Sequence, residues 1–338
     1  MAFDNDTVED LALPWHQSHW RHLVARAGDK ILPHALMLTG LPGLGKRRFA
    51  ERFARALLCM SPIETGDACG QCKTCHLFAA GTHPDFLPVY TEEDSKVLKI
   101  DQIRALSERL TLRSNFLKEK VALLDPADQL NIAAANSLLK TLEEPTPGTL
   151  IILVADNPAR LPATIRSRCQ QLVFTLPSSD AAQTWVCENS NAPADQGALA
   201  LQLAHGAPLK ALAYLQDEYL NRRGEWFSEF VSMIEGKQNP ISLAKAMSGQ
   251  DLKASLDHLI SWVVDLIRLN QAGKLSKIGN SDKEDALQRI AMGLDLAWLY
   301  KRYDQLLKSR SLLQTQVNAQ LLMEDALLPW FKSKGGLG

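Results

Sequence analysis

Ala35-Leu-Met-Leu-Thr39 runs straight into Gly40-Leu-Pro-Gly-Leu-Gly-Lys46, and Arg47 to Leu58 then carries apolar residues at helical spacing. A short apolar run, a glycine loop and an amphipathic stretch predict strand, loop and helix in that order. Gly40, Gly43, Gly45 and Lys46 fit the pattern G-x-x-x-x-G-K, in which glycines let backbone N–H groups surround a polyphosphate and the lysine neutralises it. The position after the lysine normally carries a Ser or Thr hydroxyl for Mg²⁺. Here it is Arg47, so the loop keeps a phosphate cradle and lacks a metal ligand.

Working outward, Val121 to Leu124 reads as a second buried strand ending in Asp125, and Leu150 to Val154 as a third after the turn Pro145-Thr-Pro-Gly148. An alanine-rich helix, Ile132 to Glu144, lies between them. Buried strands alternating with helices are the pattern of a parallel sheet covered on both faces. Asp125 is the natural second carboxylate for a metal, and a nucleotide hydrolase would follow it with a glutamate that orients water. Pro126 stands there, with neither a carboxylate nor a backbone donor. Asp128 is a substitute only if it points back to the loop; three residues along, a solvated or capping aspartate is the better reading.

From about Leu172 the character changes. Pro177, Ser178 and Ser179 punctuate the chain, and the rest is leucine, alanine and charged residues with helical periodicity. His205-Gly-Ala-Pro208 separates a short group of helices from longer ones, and Gly273 to Asp282 reads as an exposed loop.

The 338 residues are 46% hydrophobic and 22% charged, a balance that builds a core, and the length accommodates two or three domains. Lys plus Arg number 37 against 38 Asp plus Glu, a net charge of −1, which argues against a chain that grips DNA through its own phosphate contacts. The most apolar stretches, Ile151 to Val154 and Leu259 to Leu269, are too short or carry Asp265 and Arg268, so no membrane span is expected. Met1 to Asp10 is acidic without an apolar core, unlike a secretory signal, and a cytoplasmic protein is expected.

Four of six cysteines, Cys59, Cys69, Cys72 and Cys75, form C-x9-C-x2-C-x2-C directly after the first helix. Thiolates at this density suit tetrahedral Zn²⁺, whereas a reducing compartment disfavours disulfides. Four thiolates close the shell, so the metal's role is structural. His76 and His83 read as bystanders, and Cys169 and Cys187 as ordinary buried thiols. Arg166-Ser-Arg168-Cys169 is, on composition, a basic turn.

Taken in order, the glycine loop, the four cysteines, Gly81-Thr-His-Pro-Asp85, Asn136-Ser-Leu-Leu-Lys-Thr-Leu-Glu-Glu-Pro145 and Ser167-Arg168-Cys169 resemble the bacterial clamp-loader subunits of DNA polymerase III, over roughly residues 14 to 170. Arg47 and Pro126 place the chain with the delta-prime type, whose phosphate loop is degraded, rather than with the gamma or tau motor subunits. Leu209 stands where the small helical domain of a motor subunit carries a nucleotide-sensing arginine.

The resemblance implies an AAA+ domain over residues 1–173 with a zinc module at about 59–82, a small helical lid over 174–216, and an all-α collar over 217–338 that joins a pentameric ring. It implies partners: gamma/tau and delta subunits, the sliding clamp and primer-template DNA, reached through the assembly. It implies that Arg168 reaches the ATP site of the adjacent motor subunit as an arginine finger. The chain is then a subunit of a DNA-directed DNA polymerase holoenzyme, a nucleotidyltransferase, with no independent ATPase. Gly40, Gly43, Gly45, Lys46 and Asp125 are vestigial, with ATP not required and weak binding still allowed. The competing readings are an active ATPase using Lys46 and Asp125, and a stand-alone zinc-dependent nucleic-acid-binding module.

Overall fold

The computed structural model describes residues 12–332 except 93, 94, 96, 117, 118, 217, 218, 250, 273–277 and 314–316. The acidic start Met1 to Asp10 therefore lies outside the described residues. Two compact units are present, one ending at Ser178 and one beginning at Ser179.

The first unit is built on a five-stranded sheet, β1 Ala35–Thr39, β2 Phe86–Tyr90, β3 Lys120–Asp125, β4 Thr149–Ala155 and β5 Gln170–Val173, in the order β2-β3-β4-β1-β5. Every pairing is parallel. This is the parallel sheet that the alternation of buried strands and helices predicted. β1, β3 and β4 are buried along almost their whole length, which is why their sequences are apolar at consecutive positions rather than alternating. Packed on the sheet are helices that include Ile100–Thr111 and Ile132–Glu143, whose Ile103, Leu106, Ala134 and Leu138 are buried among strand residues.

The glycine loop bends where only glycine fits. Gly40 has φ +142°, and a Cβ there would lie 2.4 Å from the Phe174 carbonyl oxygen. Gly45, at φ 81°, is the N-cap of the helix Lys46–Leu58. That helix buries Phe49 and Phe53 against Trp20, from the helix Gln17–Gly28, and Phe49 also meets Phe174 edge-on at 5.1 Å. Behind the loop, the Leu44 carbonyl accepts from Trp15 Nε1 at 2.9 Å and from His16 Nε2 at 2.7 Å. Burial lowers the His16 imidazole to about 4, so it stays neutral and holds the loop as a hydrogen-bond donor.

The described part of the second unit is helical, as expected for everything after Pro177. Helices Ser179–Ser190, Ala194–Leu203 and Pro208–Gln216 share a small core of Ala182, Val186, Ala200, Leu201 and Ala211. Tyr219–Ile234, Pro240–Ser248, Leu252–Ala272, Glu284–Ala291, Leu296–Leu312 and Ala319–Lys332 bury a larger one around Phe230, Trp262 and Trp330. The loop expected at Gly273 to Asp282 needs correction. Residues 273–277 lie outside the described residues, but Ile278 and Asn280 are buried, not exposed. Asn280 donates to Ser261 Oγ and Asp265 Oδ2 and accepts from Arg223, so polar contacts with two helices draw the segment inward. Asp217, the expected start of the collar, also lies outside the described residues.

Candidate functional site

Parallel strands deliver their C-terminal ends to one edge of the sheet, and in this topology β1 lies next to β4, which lies next to β3. The glycine loop after β1, Asp125 at the end of β3 and Asp156 after β4 therefore converge, as ligand-binding residues do in open parallel sheets. Lys46 is almost fully buried. Its ammonium donates to the carbonyls of Gly40 at 2.8 Å and Leu41 at 2.7 Å and pairs with Asp156 Oδ1 at 2.7 Å.

Arg47, beside it, sends Nε to Glu51 Oε1 at 2.9 Å and lies 3.8 Å from Asp125 Oδ2. Its guanidinium covers the Tyr90 ring at 4.2 Å, and the Tyr90 hydroxyl donates to the same Glu51 oxygen at 3.0 Å. Burial pushes the Asp125 carboxyl up to about 6; Asp156 and Glu51 push in the same direction, against Arg47 and Lys46. Glu51, Tyr90 and Asp156 were not singled out from the sequence, because each is remote along the chain from at least one group that it contacts. Asp128 is buried and accepts from the Asn157 backbone N–H at 3.2 Å, which makes it a loop anchor rather than a solvated residue.

The four cysteines expected to gather do so. Their ligand atoms all lie within 4.8 Å of one another, with Sγ separations of 3.5 Å for Cys59–Cys69, 3.8 Å for Cys59–Cys72, 3.6 Å for Cys59–Cys75 and 4.0 Å for Cys69–Cys75. Four sulfurs about 2.3 Å from a tetrahedral ion stand about 3.8 Å apart, so the cluster is arranged to hold a metal ion. Backbone N–H groups of Cys69 and Cys72 point at the sulfurs of Cys59 and Cys69, contacts that favour thiolate charge. Cys59 is the C-cap of the helix that begins at Lys46.

His76 and His83 are outside the group. His83 is buried and accepts from the Asp85 N–H. Asp85 binds the loop Ser114 to Phe116 through its carboxylate, which gives the Gly81 to Asp85 motif a structural role the sequence did not disclose. Cys169 is buried, and burial raises its thiol to about 12; Cys187 is only partly buried, which corrects the expectation for that residue.

Arg168 follows the short helix Ala163–Arg166. Its Nη1 donates to the Thr164 carbonyl at 3.0 Å, and its Nη2 pairs with Glu143 at 2.7 Å, the two side chains being 35% and 50% exposed. It is thus held by local acceptors while remaining at the surface. Among the described residues no helix is long and apolar enough to cross a membrane.

The pattern of the family described as DNA polymerase III, delta subunit, matches residues 15–178, and that of its C-terminal part matches residues 217–332. The chain is 33% identical over 325 residues to DNA polymerase III subunit delta' of Pseudomonas aeruginosa, covering 95% of this chain and 98% of that one. It is 31% identical to the subunit delta' of Escherichia coli, covering 93% and 94%. A solved gamma-subunit-related protein of Thermotoga maritima aligns over 93% of this chain and 99% of its own, with a TM-score of 0.41 and 13% identity.

Proposed function

The chain belongs to the delta-prime family of DNA polymerase III subunits, and on that footing we propose that it serves in a bacterial clamp loader as a subunit that hydrolyses no ATP of its own. Arg47 carries this reading. Where a hydrolase places a hydroxyl on Mg²⁺, this chain has a guanidinium bound to Glu51 and lying beside Asp125. Pro126 adds that no carboxylate follows the strand to orient water.

In this reading Arg168 is the working group. It lies at the surface with two local acceptors, which fix its plane and leave further donors of its five N–H groups for phosphate oxygens of a neighbouring subunit's ATP. The gamma/tau motor binds on that side, delta closes the ring, and the assembly places the sliding clamp on primer-template DNA. The cytoplasm is the matching compartment. Zn²⁺ is the metal that suits four thiolates at the observed separations, held by Cys59, Cys69, Cys72 and Cys75 to stabilise the fold of their module.

Separate hydrophobic cores on either side of residues 217 and 218 support a lid over 174–216 and a collar over 217–338, after an AAA+ domain over 1–173. The test is steady-state ATP turnover by the purified chain with and without primed DNA, then by the complex reconstituted with gamma and delta. Turnover by the chain alone that vanishes with Lys46→Ala would establish the active-ATPase reading instead.

A further inference from the structure

An ammonium group has three protons to donate. The three acceptors around Lys46, the Gly40 and Leu41 carbonyls and Asp156 Oδ1, all lie within 2.8 Å and use them fully. A phosphate bound in such a loop needs inward N–H donors and a lysine to neutralise it. Here two carbonyl oxygens turn toward the lysine, and a carboxylate already supplies the negative charge.

The adjoining metal position is filled in the opposite sense. Asp125, at the end of β3, and Glu51 both face the guanidinium of Arg47, which lies over the Tyr90 ring. A divalent magnesium ion demands near-octahedral oxygen coordination and gives up its water reluctantly. To bind here it would have to expel a resident cation. The residues present therefore do not fit a magnesium–nucleotide.

We infer that this glycine loop is a self-filled site, in which Asp156 takes the place of the phosphate on Lys46 and Arg47 takes the place of the metal on Asp125, so that the chain admits neither nucleotide nor magnesium there. The site is closed by charge substitution as well as by loss of hydrolytic residues. It follows that this subunit's own loop does not respond to the nucleotide level, and any response must come through its neighbours. The inference is independent of the role given to Arg168.

The experiment is calorimetric titration of the full-length chain with ATP and with inorganic pyrophosphate, with and without Mg²⁺. The wild-type chain shows no saturable binding into the millimolar range. Asp156→Asn keeps the side chain's size and removes its charge, and binding of both ligands tightens at least tenfold without requiring Mg²⁺. Lys46→Ala in that background abolishes the gain. Arg47→Thr combined with Asp156→Asn makes ATP binding respond to Mg²⁺.

Asp156 is 47% exposed, so its replacement is compatible with folding, and Asp156→Ala provides a second variant whose melting temperature is checked alongside. Micromolar ATP binding by the wild-type chain that Lys46→Ala removes would overturn the inference. So would Asp156 variants of normal stability with unchanged affinity. Binding without turnover would sink this inference and leave the non-hydrolysing reading standing.

Discussion

Arg52 and Asp67 form a buried, two-pronged ion pair, Nε to Oδ1 at 2.6 Å and Nη2 to Oδ2 at 2.8 Å, with the guanidinium over the Trp20 ring at 3.7 Å. Trp20 in turn donates to the Thr65 carbonyl, and the Thr65 hydroxyl donates to Asp67. The helix Lys46–Leu58, the N-terminal helix and the segment leading to the cysteines thus meet at one guanidinium. Removing a single partner of a buried pair strands the other charge, which costs about 3–5 kcal/mol. Asp67→Ala is expected to lower unfolding free energy in urea by that amount while leaving bound metal unchanged on elemental analysis.

Metal removal acts on a different part of the same module. A structural zinc contributes on the order of 10 kcal/mol of apparent binding free energy in small modules. One zinc per chain is expected. Chelation is expected to raise amide exchange across Cys69 to Ala80 far more than in β1, β3 and β4. Because the Arg52–Asp67 pair does not depend on the cysteines, Ile63 to Asp67 should remain protected. Cys72→Ala that retained full zinc occupancy would contradict the assignment.

Asp125 gives a pH dependence with a defined sign. Its carboxyl stands at about 6 in the folded chain against an ordinary 3.8, so the folded state holds the proton more tightly. The stability it contributes is fully present below about 3.8 and is lost as pH rises through about 6. Asp125→Asn is therefore expected to be more stable than wild type above pH 6, by roughly 1–3 kcal/mol, with the advantage vanishing near pH 4. Chemical denaturation at pH 4, 5, 6 and 7.5 measures it, and a constant difference across that range would refute it.

Arg168→Ala separates a role in trans from a merely local one. A partly exposed ion pair such as Arg168–Glu143 is worth about 1 kcal/mol or less, so the variant should fold, bind metal and enter the reconstituted complex. Arginine fingers contribute about 10³ to 10⁵ in rate at the site that they serve. Clamp-stimulated ATPase of the complex should accordingly fall, in part only, because the other sites keep their own arginines. Arg168→Lys should not restore it, since lysine lacks the planar fork. Full ATPase and loading by an assembled Arg168→Ala complex would reject the role.

What could be read from the sequence follows from how local each signal is. β1, β3 and β4 are continuous apolar runs because both faces of a central parallel strand are covered, and the glycine loop and cysteines are spaced within a single turn or module. β2 and β5 were missed because they lie at the sheet edges, where Pro88 is tolerated and Gln170 and Gln171 leave no apolar pattern. The charges that fill the loop, Asp156 on Lys46 and Glu51 with Tyr90 on Arg47, are brought together by the strand order. Periodicity carries no information about them. Nor does composition reveal that Arg223 and Asp265 draw Asn280 into the interior.

Cys59 ends the helix that Lys46 begins. Thirteen residues at about 1.5 Å each make a strut roughly 20 Å long, with the glycine loop at one end and the thiol cluster at the other. Such a strut fixes angle as well as distance. Each residue advances the helix by about 100°, so inserting or deleting one between Arg47 and Leu58 would swing Cys59 away from its three companions whenever the loop stayed in place. The two ends are in phase with each other, and evolution can lengthen this helix only in near-whole turns without surrendering one of them.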